Sequence, residues 1–318
     1  MTAYIISRVL YAIPIALGVS MVCFTLIYLA PGNPLQTLLP EDASAETMAI
    51  VKKAYGLDKP VPLQYLIWLS RAITGDLGKS IATGRQVSEE ISKALSNTMV
   101  LTVGAISLSF SLAFALGVTA GYLNGSWADR VVTGIAVIGV SIPNYWLGMT
   151  LIIVFAVELQ LLPATGMGPD GSGTFNVFDP QHLRHVLLPV VTLSMIPMGI
   201  IARTTRAAVA ETLNQDFVQT LRAKGLKAQT VAGHVIKNAL PQILAVMGLQ
   251  FGYLLGGSIL VETVFTWPGT GFLLNKAILT RDIPVLQGVT LMLATFFVIT
   301  NLLVDLLQTA VNPRMQRH

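Results

Sequence analysis

Of the residue types that could carry chemistry, the most suggestive run is Gly75-Asp76-Leu77-Gly78-Lys79-Ser80. It ends as a phosphate-cradling loop ends, with a lysine for a phosphate and a hydroxyl for Mg2+. The first glycine of such a loop lies six residues before the lysine. Here that position is Ile73, and no buried strand precedes it, so nucleotide binding is excluded at this run. His182 and His185 flank a basic residue and lack an acidic partner, which reads as solvated loop histidines rather than a metal site. His234, in a basic helix, is an equally weak ligand. Cys23 is the sole cysteine and sits in an apolar run, which rules out an intramolecular disulfide and argues against thiol or metal chemistry. There is no serine or cysteine nucleophile with a base and an orienting group, no zinc pattern and no carboxylate pair at helical spacing. The chain is not expected to be an enzyme or to bind a cofactor or metal.

The elements that must position any functional residue are membrane helices. The chain has 318 residues, 53% hydrophobic and 11% charged, with a mean hydropathy of +0.67. That composition belongs to an all-α polytopic membrane protein. Spanning the hydrocarbon core takes ~20 apolar residues, and six stretches qualify: 5–29, 98–123, 131–159, 187–206, 242–262 and 286–308. The third carries Pro143 in its middle and reads as one kinked span, being too short for two crossings and a loop. The net charge of +4 lacks the aromatic interleaving of a nucleic-acid surface and reads as topology. With both termini inside, the inner segments hold Arg8, Arg130, Arg203, Arg206, Arg222, Lys224, Lys227, Lys237, Arg314 and Arg317. The short outer loops hold Arg184, Lys276 and Arg281. This bias predicts cytoplasmic N and C termini, with residues 309–318 as a cytoplasmic tail.

Residues 31–97 are expected to form a small extracytoplasmic cap. Pro31-Gly32-Asn33-Pro34 turns the chain out, Ala45–Tyr55 has helical composition, and Leu63–Ile73 can form an amphipathic helix. The second outer loop, 160–186, is rich in Gly, Pro and Asp and reads as a surface loop. In the fifth span Gly248, Gly252 and Gly256 recur every four residues, a smooth face for helix packing or a solute; Gly117 and Gly121 repeat the spacing once. Asn144 and Gln250 are candidates for lining a path, since amides contact a polar solute without a charge. Asn301 and Asp305 read as a structural polar pair near the end of the last span. Glu158 and Glu262 are expected at outer span ends, within reach of water.

The longest polar, basic segment between apolar ones is 216–241. Asp216 and Gln219 have the spacing of an N-terminal cap, Gly225 can end a helix in a left-handed conformation, and Pro241 is expected to start the next span. Phe217 and Leu221 share one face of the first helix. Val231 and Val235 share one face of the second. Arg222, Lys224, Lys227 and Lys237 occupy much of the remainder. An exposed apolar knob ringed by positive charge suits either anionic lipid headgroups or a groove in a soluble partner.

Asp216 to Gly225, followed by Asn238-Ala239-Leu240-Pro241, resembles the ATPase-coupling loop of permeases in the dipeptide/oligopeptide/nickel branch of ABC importers. The likeness extends along the chain through Pro31–Pro34, Gly56-Leu57-Asp58-Lys59-Pro60, Gly75–Ser80, Ser141-Ile142-Pro143, Glu262-Thr263-Val264-Phe265, Trp267-Pro268-Gly269-Thr270-Gly271 and Arg281-Asp282-Ile283-Pro284. The resemblance implies the type I importer permease fold in a bacterial or archaeal inner membrane, carrying di- or oligopeptides or a related polar solute. It implies a second homologous permease, two ATPase subunits that bind ATP and Mg, an extracytoplasmic binding protein, and no nucleic acid. Phe217, Gln219, Leu221, Arg222, Ala223, Lys224, Gly225 and Pro241 would form the coupling loop. Where Gln219, Leu221 and Asn33 stand, the family usually has Arg, Ala and Asp.

Overall fold

A computed structural model of the chain describes residues 2–29, 58–171 and 174–311. Among them every long element is helical, and the one β-type pairing is an isolated bridge between Lys79 and Gln86. The helices are α1 (Thr2–Leu29), α2 (Val61–Ile73), α3 (Val87–Tyr122), α4 (Trp127–Ser141), α5 (Asn144–Leu151), α6 (Pro180–Leu213), α7 (Asp216–Ala223), α8 (Ala228–Val264), α9 (Thr270–Leu279) and α10 (Ile283–Val311). A π-helical turn, Ile152–Glu158, continues α5. The expected turn at Pro31–Pro34, the helix at Ala45–Tyr55, Gly56-Leu57 and the tail from residue 312 lie outside the described residues.

Among the described residues three helices are long and apolar enough to cross a membrane, or five if each of two bent pairs is one span. The kink expected at Pro143 is a full break. α4 ends at Ser141, Pro143 is the cap residue before α5, and α4 diverges by 99° from α5 with its π-helical continuation. Proline disfavours helical geometry in the residue before it, and Ile142 accordingly adopts φ −85°, ψ 124°. Pro241 does not start a span. It lies inside α8, which runs unbroken from the basic segment into the apolar one. The carbonyl that loses its partner there belongs to Lys237, which is exposed, so the missing bond falls at the polar part of the helix.

The chain divides into two compact units. One holds Thr98–Trp267 and the segment after Thr300; the other holds Thr2–Asn97 and Pro268–Ile299. In the second unit, α1 and α2 meet through Phe24, Tyr65 and Trp68, and the Ser20 hydroxyl lies 2.8 Å from that of Tyr65. The run that mimics a phosphate loop is a structural turn in this unit. The Ser80 hydroxyl donates to the Asp282 carboxylate at 2.5 Å, the Ala82 amide donates to the same oxygen, and the other oxygen caps α10 at the Val285 amide. Gly288 of α10 packs tightly on Val87 and Ile91.

In the first unit α6 is the central rod, packed by α4, α5 and α8. The contact with α3 is closest where side chains are smallest. A methyl on Gly117 would sit 2.6 Å from the Ala202 carbonyl oxygen, and one on Gly121 2.9 Å from that of Arg206. At one end of α6, Met167, Leu188, Leu193, Leu254, Phe265 and Trp267 form a buried core. Here three expectations are corrected. The loop 160–186 is not merely a surface loop: Met167 is buried, and the Gly166 amide donates to the Phe265 carbonyl. His182 is buried in the first turn of α6, edge-on to Phe175 and 3.8 Å from Asp179. Glu262 is fully buried and accepts a 2.7 Å hydrogen bond from Thr98. Glu158 is exposed, as expected.

Candidate coupling site

The basic segment forms an elbow at the other end of α6. After Leu213 the chain turns through Asn214 and Gln215 into α7. Gln215 is the cap residue and makes no side-chain cap bond, so the expected Asp216 cap is corrected. Asp216 stands in the first turn, where its carboxylate favours the helix dipole. The other end follows the sequence reading. Gly225 has φ +73°, its amide donates to Arg222, and the Leu226 amide reaches back to Leu221. This double closure needs a residue that tolerates the left-handed region.

The elbow is anchored by apolar residues that face inward. Val218, Val231 and Val235 are buried with Ala208, Val209, Ala239 and Ile243, and Phe217 and Leu221 are half-buried against that cluster. The apolar knob read from the sequence is therefore a root. The 3.6-residue period identified the apolar face correctly, but α6 and α8 of the same chain cover it. What remains exposed is a largely polar and basic crown: Gln219, Arg222 and Ala223 on α7, Lys224 and Gly225 in the turn after it, and Lys227 at the start of α8.

Beside the elbow lies an ion pair that the sequence reading missed. Arg206 of α6 grips Asp129 of α4 through two bonds, Nε to Oδ1 at 2.6 Å and Nη2 to Oδ2 at 2.7 Å, and Nη2 also donates to Asn124 at 2.9 Å. The Gly125 amide donates to Asp129, and the Ser126 side chain caps α4 by accepting from the Asp129 amide. The available signal was Ser126-Trp127-Ala128-Asp129, a capping spacing before an apolar run. No sequence rule named Arg206 as the partner.

The pathway candidates are dispersed. Asn144, at the start of α5, is buried with its side-chain oxygen unbonded; the Gln250 side-chain oxygen on α8 is also unbonded. Gly248 abuts Val304 of α10 and borders an apolar recess of about 300 Å3 with Phe110, Met247, Phe251 and Leu303. Gly252 is buried, whereas Gly256 is exposed with open space at its Cβ position. The three glycines thus do not form one packing face. Asn301 is half-buried, and the side chain of Asp305 lies outside the described residues.

Comparison with known proteins gives these features a context. Residues 113–317 match the family described as binding-protein-dependent transport system inner membrane component, and residues 1–102 match the N-terminal model of the same system. The dipeptide transport system permease protein DppB of Alkalihalophilus pseudofirmus is 40% identical over 99% of this chain and 100% of its own length. The glutathione transport system permease protein GsiC of Escherichia coli O6:H1 is 37% identical, and that of Salmonella typhi 36%, each over 99% of both chains. With matches along almost its whole length, a helical spanning core and a polar elbow between α6 and α8, the chain belongs to the family of inner membrane permease components of binding-protein-dependent transport systems.

Proposed function

We propose that the crown of α7 is the surface on which an ATPase subunit docks, and that the chain forms half of the path for a di- or oligopeptide or a related small polar solute. The observation that carries this reading is the division of α7 into two faces. Val218 is fully buried as a root, while Gln219, Arg222, Ala223 and Lys224 are exposed. A helix held in this way can transmit a push without unfolding.

In this reading six spans place both termini in the cytoplasm and the cap, with α2, outside. A second homologous permease completes the path, two ATPases bind ATP and Mg, and an extracytoplasmic binding protein delivers the solute. The solute class follows from the relatives named for dipeptide and glutathione transport. ATP binding biases the pair of permeases toward one orientation by holding the elbows together, and hydrolysis releases them. This chain performs no chemistry. Asn144 and Gln250, whose side-chain oxygens lack partners, supply polar groups to the path.

The test is transport by the complete complex in proteoliposomes. Ala223→Asp, which places a carboxylate in the crown, is expected to abolish ATPase association and uptake while leaving membrane insertion intact. Normal uptake by that variant, or gradient-driven flux through this chain without any ATPase, overturns the reading.

A further inference from the structure

We propose that the Asp129–Arg206 pair is a positioning clamp that makes α4 move as one body with the elbow formed by α6 and α7, so that motion entering at α7 reaches the break at Ser141–Pro143. The inference rests on the docking role of α7.

Three observations support it. The first is how weakly α4 is otherwise held where it begins. From Trp127 to Ile135 the one buried side chain is Asp129; Trp127, Val131 and Ile135 are exposed. Apolar packing therefore does little to fix this end of the helix, and the carboxylate is left to do it. The second is the geometry of the grip. A planar guanidinium bonded through two nitrogens to two carboxylate oxygens fixes orientation as well as distance, which a lysine cannot do. Such pairs add little net stability against apolar replacements of similar volume, so their main yield is a defined geometry. The third is the second attachment further along. A methyl on Gly199 of α6 would lie 2.5 Å from the Ala136 carbonyl oxygen of α4, a backbone contact with no room to slide. The clamp and this contact hold α4 at two levels, and α4 then ends at the 99° break. Arg206 lies two turns before the end of α6, and the Gly121 contact of α3 meets its carbonyl. Displacement of the elbow is thereby conveyed to α4 and not absorbed in a soft joint.

Two measurements test the clamp in the full complex. In the first, Arg206→Lys and Asp129→Asn are compared with wild type for solute taken up per ATP hydrolysed. The expected result is a fall of about tenfold, in the range of ordinary coupling energies, with ATPase association and thermal midpoint nearly unchanged. The exchanged pair Asp129→Arg/Arg206→Asp should recover part of the loss. An unchanged ratio, or a loss that only tracks the amount of folded complex, overturns the inference. In the second, spin labels are placed at exposed positions Glu211 and Ile138 in a Cys23→Ser background. Their separation should be the same with and without ATP in the wild type and should change in Arg206→Lys. A nucleotide-dependent distance in the wild type sinks the proposal. Ala223→Asp, run in parallel, separates the two readings. If it uncouples and Arg206→Lys does not, the clamp alone fails; if it leaves ATPase association intact, the docking role fails.

Discussion

The two ends of α6 solve different problems with different side chains. At the Pro180 end, Trp267, Phe265, Met167 and Phe175 fill the space between helices, and a loop is drawn into the bundle over His182. At the Leu213 end the buried residues are alanines and valines with Ile243, backbones approach closely through Gly117 and Gly121, and a bidentate ion pair lies beside them. Large aromatics fill such a space because each buries much area. Small side chains make a stiff joint because they leave little free volume and few rotamers to change. The contrast is between an end filled by bulk and an end closed by near approach of backbones.

The largest expected effect breaks the aromatic end. Trp267→Ala should cost about 3–5 kcal/mol as a cavity opens in the core. Hydrogen exchange should then rise in the loop before α6 while residues 208–218 stay protected. Equal loss at both ends would show that they are not separate structures. Next, Gly117→Val forces a side chain against the Ala202 carbonyl. It should cost about 3 kcal/mol, at the upper end of overpacking penalties, read as a lower unfolding midpoint in detergent. Gly225→Ala is expected to lose roughly 1 kcal/mol, because its left-handed backbone resists a Cβ. That change should loosen α7 in exchange experiments and leave the Trp267 end unaltered. The smallest effect sharpens the glycine argument. Gly256→Ala should be neutral or stabilise by less than about 1 kcal/mol, since nothing lies within 4 Å of its Cβ position. Gly248→Ala must displace Val304 and should lower the midpoint.

How far the sequence could be read varied with the range of the interaction. Local signals held: the end of α7 with Gly225 after it, and a separate helix, expected over Leu63–Ile73 and found as α2 over Val61–Ile73. Signals that depend on a partner far along the chain did not. Periodicity placed Val231 and Val235 on one face without saying that the rest of the chain covers it. Glu262 looked solvated because Thr98, which bonds it, lies 164 residues away. The glycine stripe at 248–256 was the more regular, but within it Gly248 abuts Val304 while Gly256 meets nothing, whereas Gly117 and Gly121 both meet the backbone of α6.

The amino-acid sequence alone determined that this chain is helical and apolar, and that a basic elbow interrupts its apolar stretches. Those properties follow from composition, short-range hydrogen bonding and the cost of polar groups in lipid. The tertiary structure alone decided which faces are buried, how sharply the chain turns at Ile142–Pro143, and that Arg206 closes on Asp129. Each of these is a pairing of distant residues, whose free energy exists only once the intervening chain has folded around them.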